Sequence, residues 1–454
     1  MSTPNHVFYK WGGGIAPDFP RIERAHEEFL VTEDGRELVD AAAGAAVVNL
    51  GHSVPGVEAV LSEQVADVSY ISLSHFTHEA TERLATTLTA MAPDDLGAAF
   101  FVNSGSEAIE TSFKLARAYH RETGNPEKHV IIGRWQSYHG ATLGALSAGG
   151  NTGRRAPYAP QLQGWPHVPP AYPYRWPYEG SPEKQAIAAA RELETAIRQE
   201  GPETVAAFVA EPVSGASIPA THPDAAYFRE VRRICDEYDV LFIADEVMTG
   251  FGRTGSLFGM ERFDVVPDVL VLGKGLSGGY APISATLVRE ELAAPFDRGG
   301  DGEGSFAHGH TFGGNPLSAA VAAHVVEQYT PSVIETGRER GELLVSKLAP
   351  LRDHPMVGEV RHCGAMIGIE FVADRETKRP FDPELGVYKR VFERALEAGV
   401  YTYPGSGSVD GVRGDHLMLS PPLTIGEDAV ETVARVVCEA IDAVYETVGD
   451  AAPA

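Results

Sequence analysis

Cysteine is scarce: the 454-residue chain has three, Cys235, Cys363 and Cys438, far apart. That spacing excludes a disulfide framework and a metal knuckle, so no metal is expected and the thiols read as small buried hydrophobes. Long apolar runs are also missing. No stretch approaches the roughly 18 apolar residues needed to span a bilayer; even AAAGAAVVNL at 41–50 is mostly Ala and Gly. The opening MSTPNHVFYKWGGG lacks the apolar core of a secretion signal, and the chain reads as cytoplasmic. Positive charge is the third shortage. The 37 Lys and Arg stand against 63 Asp and Glu, a net charge of −26. Such a surface repels phosphate backbones and anionic headgroups, which argues against nucleic-acid and membrane-surface partners. Eight of the basic residues are Lys and 29 are Arg. Few lysines among many carboxylates resemble proteins adapted to molar salt, where screening makes a dense acidic surface tolerable.

What is present suffices for packed cores: 43% of the residues are apolar. The length exceeds what one core usually supports, which predicts a large domain and a smaller one. Between about 99 and 290, continuous apolar runs alternate with amphipathic helical segments. AAFFV (98–102), HVIIG (129–133), VAAFVA (205–210), VLFIAD (240–245), DVLVLG (268–273) and PISATLV (282–288) read as strands buried on both faces of a largely parallel sheet. This is an α/β pattern. Residues 151–182, rich in Pro and Tyr, read as a long ordered loop. EEFLVTEDGRELVD (27–40) reads as paired strands, its Asp-Gly marking the turn. With the C-terminal third it forms a smaller α+β unit, so 1–55 and 331–454 are expected to flank a large domain at 56–330.

Five stretches carry chemistry. NSGSEA (103–108) follows a strand and opens a helix, where converging amides suit a phosphate; a plain serine N-cap explains it equally. Asp245 ends a buried strand, where open sheets place ligands. It must be paired, hydrogen-bonded or protonated there; a cationic heterocyclic nitrogen is a fitting partner, while pairing with Arg253 or capping the next turn is the plainer reading, with Glu246 next door simply solvated. Lys274, between glycines after an apolar strand, has a short route to a water-poor site that would lower its pKa and yield a neutral amine; a snorkelling surface lysine is the plainer alternative. WQSYHGAT (135–142) offers the Tyr138 ring and His139 at another strand end, and GHTFGGNP (309–316) offers Thr311 among glycines.

In this order, and with D-E-V, G-R-x-G, P-D and G-K-G spaced over 245–275, the chain resembles the class III pyridoxal-phosphate aminotransferases of fold type I over nearly its whole length. The resemblance implies a mostly parallel, seven-stranded-type sheet sandwiched by helices, with the smaller domain built from both chain ends. It implies pyridoxal 5'-phosphate, joined to Lys274 as an imine. Asp245 would face the ring nitrogen and Tyr138 and Val247 its two faces, with His139 and Glu211 nearby. Ser104, Gly105 and Ser106 would bind the phosphate, completed by Thr311 of a second subunit. A homodimer follows, with a dimer of dimers as the larger alternative. The implied reaction moves an amino group from an amine or ω-amino acid to a 2-oxo acid such as pyruvate; aminomutase, racemase and decarboxylase activities share the scaffold.

Two departures bear on substrate. Ala216 stands where ornithine- and 4-aminobutyrate-type members carry Glu, which argues against those activities. GVRGDHLMLSPPLT (411–424) resembles the ω-amino acid or amine:pyruvate branch, but the frame puts that branch's mobile Arg at Gly411. Arg413, two residues on, is the nominated carboxylate ligand, equally readable as a surface residue. Tyr9, Trp11, Phe76 and Tyr138 are candidate pocket walls.

Overall fold

The computed structural model describes residues 6–10, 19–93, 95–296 and 305–448. Its centre is a seven-stranded sheet of β4 (Ala98–Val102), β5 (Val130–Arg134), β6 (His167–Val168), β7 (Val205–Ala210), β8 (Leu241–Asp245), β9 (Val269–Leu272) and β10 (Ser284–Val288), in the order β4-β10-β9-β8-β7-β5-β6. β10 is antiparallel to both neighbours, β4 and β9, and the others run parallel.

Strand alternation builds two helical layers on this sheet. On β8, Phe242 and Ala244 join one apolar cluster while Leu241 and Ile243 join another; on β9, Leu270 and Leu272 separate likewise from Val269 and Val271. The first cluster is completed by Phe228, Val231 and Ile234 of the helix Ala226–Tyr238, the second by Ile109, Phe113 and Ala116 of the helix Gly105–Glu122. With both faces covered, no position on β7, β8 or β9 is exposed. This is why these strands read as unbroken apolar runs.

Two further sheets lie apart from the large one. In the first, β1 (Ile22–His26), β2 (Phe29–Thr32) and β3 (Glu37–Asp40) are antiparallel, with Gly35 at φ +82° in the expected turn. The fourth strand of that sheet is β13 (Val400–Tyr401), parallel to β3 with Val400 opposite Val39, so both ends of the chain share it. The second contains β11 (Val357–Cys363), β12 (Met366–Phe371), β15 (His416–Leu419) and β14 (Tyr403–Gly405), all antiparallel. The helix Glu427–Val448 packs Val430, Val433, Val437 and Ile441 into the same core as Ile367, Ile369 and Leu417.

The 151–182 stretch is more than the loop expected. It holds β6, the seventh strand, paired with β5 through Gly133 and His167. Two residues between Pro166 and Pro169 are too few to show a period, which hides this strand in the sequence. The aromatics of the stretch are packed, Trp165 edge-on to Phe113 at 5.4 Å and Trp176 against Tyr227 at 6.5 Å. Among the described residues, no helix is long and apolar enough to cross a membrane, and no cluster of His, Cys, Asp and Glu is placed to hold a metal ion.

Candidate active site

Five parallel strands converge on one cavity of about 380 Å³ at the carboxyl edge of the large sheet. β4 runs into Ser104, Gly105 and Ser106, β5 towards Tyr138 and His139, and β7 into Glu211. β8 ends on Asp245 and leads to Val247, while β9 passes through Gly273 to Lys274. All nine of these candidate residues, Gly273 apart, line that cavity.

Ser104 is both N-cap and wall. Its Oγ accepts from the Glu107 N–H at 3.3 Å, and the first turn of the helix opens on the cavity with its partial positive charge. Ser106 Oγ accepts from the Ala141 N–H at 3.0 Å. Glycine at 105 leaves room for Val247, because a Cβ there would sit 2.9 Å from Val247 Cγ1 and force a shift.

Asp245 is buried and does not pair with Arg253, whose guanidinium donates instead to Asn49 Oδ1 at 2.7 Å and to the Pro421 carbonyl. Asp245 Oδ2 accepts from His139 Nδ1 at 2.7 Å, and Oδ1 from the Val247 N–H at 3.1 Å. A carboxylate only accepts, so the proton of that contact sits on Nδ1; His139 Nε2 is buried with no hydrogen-bond partner. Glu246 is not solvated: its carboxylate accepts from the N–H groups of Gly259 and Met260 and from Thr249, and burial pushes its pKa up to about 7. Glu211 accepts from the Gly215 N–H at 3.3 Å through Oε1. Its Oε2 is buried without a hydrogen-bond partner, 4.0 Å from Arg134 Nη2, and burial raises its pKa.

Lys274 adopts φ +46°, a left-handed backbone that a non-glycine residue holds only where its surroundings impose it. The side chain opens partly onto the cavity but is otherwise enclosed. Burial lowers its amine to about 8, against the pull of Asp245 and Glu211, which favour the cation.

The remaining candidates lie elsewhere. Thr311 and Phe76 line a separate surface cavity of about 820 Å³ together with Tyr70 and His310. Phe76 is 66% exposed in that wall, and Phe312 (61% exposed) stands beside it, edge-on to Tyr70 at 5.7 Å. Arg413 is 56% exposed and donates to Asp410 Oδ2 at 2.6 Å; it does not line the Lys274 cavity. Tyr9 packs edge-on to Phe19 at 5.6 Å, and Trp11 falls outside the described residues. Sequence reasoning missed Asn103, Met248 and Ser284, which also line the cavity, and Arg154, whose Cζ lies 4.1 Å from the centre of the Tyr138 ring. Asn103, Met248 and Ser284 adjoin or begin strands, their only sequence signal, whereas Arg154 lies in the short helix Thr152–Arg155, far along the chain from any strand end.

A model of the family described as aminotransferase class-III matches residues 16–441. The chain belongs to the class III aminotransferases. It is 38% identical over 432 residues to an uncharacterized aminotransferase, YodT, of Bacillus subtilis, covering 95% of this chain and 96% of that one. It is 33% identical to the putrescine–pyruvate aminotransferase of Pseudomonas aeruginosa over 93% and 90% of the two chains. Among solved structures it resembles the omega transaminase of Pseudomonas jessenii in complex with PMP, with a TM-score of 0.87, 34% identity, and 95% and 94% of the chains covered. The chain is thus a transaminase of α/β fold, and its class uses pyridoxal 5'-phosphate. The residues present fit that group: a helix N-terminus for an anion, an amine of lowered pKa, the carboxylate of Asp245, and the unpartnered polar atoms of Glu211 and His139.

Proposed function

We propose that this aminotransferase moves an amino group from an amine or ω-amino acid to a 2-oxo acid such as pyruvate, in two half-reactions that share one site. The observation that carries the reading is the Lys274 amine, lowered to about 8, in one cavity with the buried carboxylate of Asp245. When bound, pyridoxal phosphate supplies an aldehyde that takes up the amino group and a ring that accepts electrons from the substrate's α-carbon. Lys274, neutral in part near pH 8, would be the residue that holds the aldehyde and moves the proton at that carbon. Asp245, oriented by His139, would hold a proton on the ring nitrogen. Gly105, Ser106 and the helix N-terminus they open would receive the phosphate. Tyr138 and Val247 would confine the ring, and Glu211 would belong to the shell around it.

The same reading makes the enzyme a homodimer, with Thr311 completing the phosphate site of the other subunit. Its support is the exposed aromatic surface of Phe76 and Phe312 beside Thr311, of the kind that marks association. Mixing the loaded enzyme with an amine donor and pyruvate and measuring alanine tests the reaction. Alanine formed in step with consumed donor supports it. Carbon dioxide release, racemised donor or a shifted amino group without alanine would instead assign a decarboxylase, racemase or aminomutase.

A further inference from the structure

An amino acid or 2-oxo acid brings a carboxylate into a cavity already holding Asp245 and Glu211, where Lys274 is the lysine or arginine among the lining residues. Binding that carboxylate therefore calls for another cation at the wall. The 407–414 turn does not provide it. Gly411 sits at φ +84°, and a Cβ on it would fall 2.0 Å from Thr152 Oγ1, so no side chain fits there without a shift. Arg413 is held by Asp410, which accepts from both its Nε at 2.6 Å and its backbone N–H at 2.7 Å.

Arg154 is placed to serve. Its half-buried guanidinium lies over the Tyr138 ring, which lines the cavity, and its charge reaches Lys274, adding to the burial that lowers that amine. The helix Thr152–Arg155 that carries it is tied to the wall by Asn151. Asn151 Oδ1 accepts from the Arg154 N–H at 3.2 Å, and its Nδ2 donates to Ser217 Oγ at 3.2 Å, next to Ala216 of the lining. The turn around Gly411 rests on the same helix, and Gln136 Nε2 donates to the Val409 carbonyl at 3.4 Å, holding the turn to the Tyr138 segment. A planar guanidinium fork matches a carboxylate bidentately.

We infer that Arg154, beside Tyr138, binds the carboxylate of amino-acid donors and 2-oxo-acid acceptors, and so sets the preference for carboxylate-bearing over uncharged substrates. The inference rests on the transaminase reading above.

The test compares Arg154→Met, Arg154→Lys and Arg413→Ala with the wild-type holoenzyme. Single-turnover rates are measured with L-alanine, which has the carboxylate, and with 1-phenylethylamine, which does not. Calorimetric titration with 3-phenylpropionate and with its amide gives a readout free of turnover. Arg154→Met should lower kcat/KM for alanine about 100-fold while changing that for the amine by less than about threefold. It should also weaken 3-phenylpropionate, but not the amide, and Arg154→Lys should recover part of each loss. Equal losses on both donors, unchanged 3-phenylpropionate binding, or the selective loss appearing in Arg413→Ala would overturn the assignment. A wild-type enzyme that reacts with neither donor would sink the transaminase reading, while the titration would still judge Arg154.

Discussion

Replacing Lys274 by Met should stabilise the cofactor-free protein while abolishing its activity. Burial takes the amine from its ordinary 10.5 to about 8. At about 1.36 kcal/mol for each pKa unit, the fold gives up about 3 kcal/mol to hold this residue as a cation. The sign follows from proton counting. Below pH 8 both folded and unfolded chains carry the proton, and the native state bears the full cost. Between pH 8 and 10.5 the unfolded chain binds more protons, so wild-type stability rises with pH. Above 10.5 the amine is neutral in both states and the cost is gone. Met keeps the length of the stem without the charge, so Lys274→Met should exceed wild type by up to about 3 kcal/mol at pH 7, and the excess should fall to about 1 kcal/mol by pH 10. The left-handed backbone at 274 strains both chains alike and cancels. Urea denaturation of the cofactor-free proteins from pH 7 to 10 measures the difference. A variant no more stable than wild type at pH 7, or an excess independent of pH, would refute a buried and depressed amine.

Three further outcomes follow from named contacts. Asp245→Asn should retain cofactor, seen by its absorbance, yet lose about 10²–10³ in kcat, because the negative charge opposite the ring is gone; an unchanged kcat would remove Asp245 from the chemistry. Glu370, fully buried on β12, bridges Arg175 at 2.7 Å and Arg361 at 2.9 Å. Glu370→Ala leaves two guanidinium groups without their shared partner and should cost about 3–5 kcal/mol in chemical denaturation, less if the site opens to water. With a net charge of −26, the melting temperature should rise from 0.1 M to 1 M KCl as screening shortens the Debye length from about 10 to 3 Å; a flat or falling profile would show that self-repulsion does not limit this fold.

What the sequence determined by itself was whatever depends on neighbours along the chain. The runs at 205–210 and 241–245 read as buried strands because both sheet faces are covered, so every position is apolar. Ser104, Asp245 and Lys274 were legible because a strand end delivers its next residues to the sheet edge whatever the rest of the fold does. Tertiary structure decided the pairings between distant residues: that Asp245 takes His139, 106 positions away, while Arg253 goes to Asn49 and the Pro421 carbonyl. It also decided which arginine faces Tyr138. Arg413 and Arg154 look alike in the sequence, but one is drawn outward by Asp410 while a short helix lays the other across the ring. Periodicity records which face of an element is buried, whereas the partner of a polar side chain depends on how separate elements dock, and residue spacing holds no trace of that.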